Sequence, residues 1–150
     1  MSIIKPKHTY LVQPGLWDIS GLYYDVNNNG FPQKGQLVVT HESDLWTIEG
    51  QLTLTTEQTQ NISSRYDVQP LEAGQEFTEW KSETGGPEPV YGLFVMVEDT
   101  IMSPWQSKSG IYWGQEVLTM ISPTEYRGRG FAFLDNKKVS AWATRLTLNG

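Results

Sequence analysis

The sequence predicts an all-β chain folded as a closed up-and-down antiparallel barrel of eight to ten strands. Three features point there: apolar residues recur at every second position over most of the chain, turn-forming Asn, Asp, Gly and Pro recur at short spacing, and no window of a dozen residues has helical periodicity. Charged side chains make up only 19% of the 150 residues, and Thr, Ser, Gln and Asn fill the shortfall, as suits half-wetted strands. A chain of this length is expected to form one domain, residues 1–150, burying roughly 70% of its unfolded surface.

The clearest strand runs from Leu45 to Thr55. Trp46, Ile48, Leu52 and Leu54 fall on one face, while Thr47, Glu49, Gln51 and Thr53 fall on the other. The same alternation gives strands at about 16–26, 33–42, 45–55, 62–70, 75–83, 89–97, 99–107, 111–121, 125–134 and 138–148. Short turns separate them: Asn27-Asn28-Asn29-Gly30, Ser43-Asp44, Glu72-Ala73-Gly74, Ser109-Gly110, Pro123-Thr124 and Asp135-Asn136. Glu98-Asp99 is another turn rather than a carboxylate pair, because neighbouring strand residues point to opposite faces. Gly85-Gly86-Pro87 with Pro89 marks a wide loop. Many short strands joined by tight turns must hide their edges, and closing into a barrel does this most simply; a two-sheet sandwich is the alternative.

The net charge of −6 repels phosphate backbones and anionic lipid, so neither nucleic acid nor a membrane is an expected partner. With no cysteine, and with His8 and His41 as the only histidines, no metal site is expected; His8 falls in a terminus expected to fray. Nucleophile elbows, P-loops and dinucleotide glycine patterns are absent, and no cofactor is predicted. Met1 to Val12 has no apolar run of the secretory kind, so a cytoplasmic location is expected and the Asn61-Ile62-Ser63 sequon is read as coincidence. The sequence sets no oligomeric state.

Six tryptophans, with Tyr23, Tyr24, Tyr91, Tyr112 and Tyr126, supply more rigid ring surface than a small core needs. They either line a cavity or cap the barrel ends and face solvent. Glycines at 21, 50, 92, 114, 128 and 130, with Ala141 and Ala143, favour a cavity, since small residues opposite large rings leave a lumen unfilled. The candidate ligand contacts are Tyr23, His41, Trp46, Tyr112, Trp113, Glu116 and Arg129. Tyr23 shares parity with Trp17, and His41 shares parity with Leu37 and Val39, at a strand end where it is a proton carrier or a hydrogen-bonded rim residue. Glu116 lies on a face with Gly114 and Leu118, and Arg129 on a face with Phe131 and Phe133. They either enter the lumen together or form a cross-strand surface pair. Arg127-Gly128-Arg129-Gly130 is read as a strand face and not as an RNA-binding segment.

Gly15-Leu16-Trp17 opens the first strand, and Arg145 lies in the last, within Trp142-Ala143-Thr144-Arg145-Leu146. This pairing resembles the signature of the calycin superfamily, the lipocalins and fatty-acid-binding proteins. The resemblance implies a calycin-like barrel whose lumen takes a small apolar ligand and whose base is closed by Arg145 packing over Trp17. The ten-stranded, helix-free pattern is also similar to nitrobindin-like haem barrels, but their haem-ligating histidine near the carboxyl end has no match here. The expected function is binding of a small, mainly apolar or aromatic ligand in the lumen. The alternative is a cyclase, isomerase or hydratase using His41, Glu116 and Tyr112 as acid–base groups. A third possibility is an interaction protein working through its outward aromatic faces.

Overall fold

The computed structural model describes residues 7–84 and 86–149; Met1–Pro6, the start of the amino-terminal segment, and Gly85 of the wide loop lie outside the described residues. Ten strands follow in chain order: β1 (Gly15–Tyr24), β2 (Gly30–His41), β3 (Trp46–Thr55), β4 (Thr59–Val68), β5 (Phe77–Ser82), β6 (Val90–Val97), β7 (Thr100–Ser107), β8 (Tyr112–Ser122), β9 (Glu125–Leu134) and β10 (Lys137–Leu148). Each pairs antiparallel with the next, and β10 returns to pair with β1, closing the barrel. Two-residue turns do much of the joining. Glu98 between β6 and β7, and Asp135 and Asn136 between β9 and β10, take φ of 51°, 50° and 64°, a region that short polar side chains tolerate best.

Alternation sends one set of side chains inward along every strand. In β3 the inward set is Trp46, Ile48, Gly50, Leu52 and Leu54, the face that the sequence assigned to the core. The least complete ladder is the one between β4 and β5. These strands register only at Asp67 with Lys81 and Val68 with Trp80; beyond that, side-chain hydroxyls take over, with Arg65 N–H donating to Thr84 Oγ1 at 2.9 Å and Ser82 Oγ donating to the Arg65 carbonyl at 2.7 Å.

One end of the barrel is plugged by the segment that precedes β1. Tyr10 and Leu11 are buried there against Trp17, which is 1% exposed. Tyr10 and Tyr126 meet the Trp17 indole edge-on, at 5.4 and 5.6 Å between ring centroids. Such aromatic pairs each contribute about 0.5–1.5 kcal/mol beyond their buried area. The base is therefore closed by tyrosine. Arg145 does not cap Trp17: it shares β10 with inward Thr144 and Leu146 and so points outward, exposed, with Nε 3.7 Å from Glu125 Oε2.

Both histidines belong to this plug. His8 is not in a frayed terminus; it is buried, with Nε2 donating to the Glu98 carbonyl at 2.7 Å, and Nδ1 2.7 Å from the Tyr126 hydroxyl. Since a carbonyl only accepts, Nε2 carries a proton and donates, while Nδ1 shares the second hydrogen bond with the Tyr126 hydroxyl. His41 donates from Nε2 to the Leu11 carbonyl at 2.7 Å, and its ring stacks flat on Trp46, 3.7 Å away.

Candidate functional site

Above the plug, three tryptophans shape an open lumen. Trp80 lies opposite Gly92, Trp105 opposite Gly114, and Trp142 opposite Gly130. A Cβ placed on these glycines would fall 2.4 Å from the Trp80 ring, 2.6 Å from the Trp105 ring and 2.2 Å from the Trp142 ring. Each indole therefore lies flat against the wall over the missing side chain, instead of reaching for the axis. What is left between the rings is a cavity of about 250 Å³, bounded also by Tyr23, Tyr66 and Tyr112 and by aliphatic side chains such as Leu37 and Ile62.

Hydrogen bonds fix the orientation of two of the rings. Trp80 Nε1 donates to Ser103 Oγ at 2.9 Å, and Trp142 Nε1 donates to Glu116 Oε2 at 2.7 Å. Among the described residues, Glu116 is the only carboxyl group lining the cavity, and no Lys, Arg or His lines it. Burial among rings raises the Glu116 pKa, with the Trp142 hydrogen bond opposing the shift in part. Burial, then the negative charge available at Glu116, push Tyr10 and Tyr66 upward too, so both phenols keep their protons. Tyr112 is raised by burial and by Tyr23. Thr144 Oγ1, on the same wall, is buried without a hydrogen-bond partner among the described residues.

The sequence-derived candidates are split by this geometry. Tyr23, Tyr112 and Glu116 line the cavity together. His41 and Trp46 face inward as their parity required, but at the depth of the plug, stacked on each other and away from the cavity. Trp113 and Arg129 point outward. Trp113 stacks on Phe133 at 4.8 Å on the outer surface, and Arg129 donates to its neighbour's carbonyl, Gly128 O, at 2.7 Å. Glu116 and Arg129 form neither a lumen pair nor a surface pair, because adjacent β8 and β9 residues in register with them, Gly130 and Val117, set them on opposite faces. Trp80, Trp105, Trp142, Tyr66 and Thr144 were not among the candidates. The signal for the tryptophans was present as hairpin register: each falls opposite a glycine once the turns are placed.

No protein-family model matches the chain, and no curated protein matches it. Among solved structures it is similar to the S-type phycobiliprotein lyase CPES from Guillardia theta, with a TM-score of 0.63 over 93% of this chain and 89% of that one, at 9% sequence identity. At that identity the likeness shows the fold alone. That fold is a closed, ten-stranded, lipocalin-like barrel, although the Trp17–Arg145 contact that the resemblance implied is not formed.

Proposed function

We propose that the lumen binds a small, mainly aromatic molecule that carries a cationic or N–H group, with its ring faces against Trp80, Trp105 and Trp142 and its nitrogen held by Glu116. The observation that carries this is a single buried carboxyl group set among rings with no Lys, Arg or His beside it among the described residues. An ionised carboxylate there lacks a counter-charge, and a ligand nitrogen supplies one. Size bears on the choice. An apolar cavity of about 150 Å³ holds one benzene ring, so 250 Å³ suits one or two fused rings, with any longer part of the ligand leaving through the mouth.

The similarity to a phycobiliprotein lyase adds a linear tetrapyrrole to the compounds worth testing, since its pyrrole N–H groups are of the kind Glu116 would accept from and its length would require such protrusion. The enzyme alternative retains Glu116 and Tyr112 as proton carriers and loses His41, whose ring is committed to Trp46 and Leu11.

The test is a titration of tryptophan emission with aromatic amines, their uncharged hydrocarbon analogues and a linear tetrapyrrole, between pH 5 and pH 9. Saturable one-to-one binding of the nitrogen-bearing compounds is expected. Affinity for a permanently cationic ligand should rise with pH as Glu116 ionises, and Glu116→Gln should remove about 1–3 kcal/mol together with that pH dependence. Binding of the hydrocarbons alone, or binding indifferent to Glu116→Gln, would remove the carboxylate from the proposal. Turnover of a bound compound that is lost in Glu116→Gln would favour the enzyme.

A further inference from the structure

The Arg127-Gly128-Arg129-Gly130 segment has two faces. Its glycines look into the barrel, where Gly130 accommodates Trp142 and Gly128 faces Thr144; its arginines look out. Continuing along β9, the outward residues are Arg127, Arg129, Phe131 and Phe133, so one strand presents two cations and then two rings over roughly 20 Å at ~3.3 Å per residue.

Neighbouring strands widen both halves. Register places Arg127 beside Arg145, Arg145 beside Ser20, and Ser20 beside Lys34, so four of the chain's eleven lysines and arginines share this face. A shallow hollow lies between the arginines over Ser20 and Gly21. Carboxylates near the row stand at its base-side edge. Glu125 approaches Arg145 at 3.7 Å, while Asp18 accepts from Gln36 and Asn149; neither Arg127 nor Arg129 has a carboxylate within ion-pair distance among the described residues. In the other half Trp113 is 38% exposed, lies nearly parallel to Phe133, and meets Phe131 edge-on.

We infer that the outer face of β8–β10 is a docking surface for an acidic protein segment whose carboxylates meet Arg127, Arg129 and Arg145 and whose apolar side chains meet Trp113, Phe131 and Phe133. Charge complementarity selects the occupant. On a chain of net charge −6 a row in which Arg127 and Arg129 have no carboxylate partner among the described residues attracts an acidic segment locally and orients it, and exposed Trp113 with half-buried Phe131 and Phe133 beside it supplies apolar contact that a free anion or polyphosphate does not use. Trp, Phe and Arg are the side chains that dominate protein interface cores. The surface is independent of the lumen, since none of these side chains enters it.

The experiment uses the full chain and an array of peptides of about ten residues, in which Asp and Glu occupy one half and Leu, Phe and Tyr alternate with Ser in the other. Matched peptides carry Asn and Gln in place of the acids. The wild-type protein should bind acidic members and ignore their amide counterparts, with affinity falling as salt is raised. It should fall at least about tenfold in the double variant Arg127→Ser, Arg129→Ser and in Trp113→Ser, Phe133→Ser. Circular dichroism and unfolding midpoints check that each variant is folded; should the first pair fail to fold, Lys34→Ser with Arg145→Ser tests the same charge row. The inference is overturned if no acidic peptide binds, if the amide peptides bind equally, or if the folded variants keep wild-type affinity. It is also overturned if oligothymidine of equal charge binds as tightly, or if sedimentation finds a dimer that Trp113→Ser, Phe133→Ser dissolves, which would give the face to a second copy.

Discussion

The base and the lumen are both built around inward-facing tryptophans, yet one is solid and the other hollow. At the base, Trp17 lies between Leu37 on β2 and Leu148 on β10, so its indole has no free wall to rest on and fills the axis under Tyr10 and Tyr126. In the lumen, Trp80, Trp105 and Trp142 face glycine and fold back against the wall. Polar groups divide the same way. The Tyr126 hydroxyl meets His8 and the N–H groups of Thr9 and Tyr10, whereas among the described residues Thr144 Oγ1 has no partner and the Glu116 carboxyl has one. Whether a barrel tryptophan fills space or frames it is decided by the residue across the ladder.

The harshest way to break this contrast is Trp17→Ala, which removes the centre of the packed base and should cost about 3–5 kcal/mol in chemical denaturation. Gly130→Val attacks the other side. Its side chain collides with the Trp142 indole, so stability should fall by about 1–3 kcal/mol and dye binding in the lumen should weaken by more than about tenfold, as the displaced ring occupies the cavity. A binding loss in Trp17→Ala as large as in Gly130→Val, in protein still folded, would erase the distinction.

Glu116→Gln gives a subtler test. A carboxyl whose pKa is raised by folding binds more protons folded than unfolded, so wild-type stability should decline as pH climbs from the ordinary carboxyl range through the raised value. The Gln variant should lack that decline and be the more stable protein at alkaline pH. Equal pH profiles would mean that Glu116 is freely hydrated. Smallest of all is Arg145→Ala, expected within about 0.5 kcal/mol of wild type, because the side chain is exposed and 3.7 Å from its carboxylate. A loss above about 2 kcal/mol would return Arg145 to the base.

The strands were legible because this chain alternates so plainly: the face assigned to Trp46, Ile48, Leu52 and Leu54 is the inward face of β3. Period two reports which way a side chain points and says nothing of depth. His41 and Trp46 therefore had the right face and the wrong level, and the plug that claims them, Tyr10 and Leu11, has no periodicity to announce it. Arg145 was misplaced for another reason. Trp142, Thr144 and Leu146 share one parity, which sets Arg145 outside, but its resemblance to a family signature spoke for the inside. Trp113 was expected in the lumen and lies outside because both faces of β8 carry apolar residues, with Tyr112 and Leu118 inward and Trp113 and Val117 outward, so parity alone does not choose between them.

The gap between β4 and β5 has a consequence in time rather than in shape. From Thr59 to Ser64, β4 has a ladder on its β3 side and none toward β5, so these residues, with Ile62 and Ser64 bordering the lumen, are held by half the usual backbone bonds. Deuterium should enter the cylinder first along this line, well before the β2–β3 and β9–β10 ladders exchange. A cylinder that loosens along one stave lengthens its circumference without unfolding. For the ligand proposed for the lumen, this line is the expected way in from the side, and its rate of arrival should then follow how often the stave lifts.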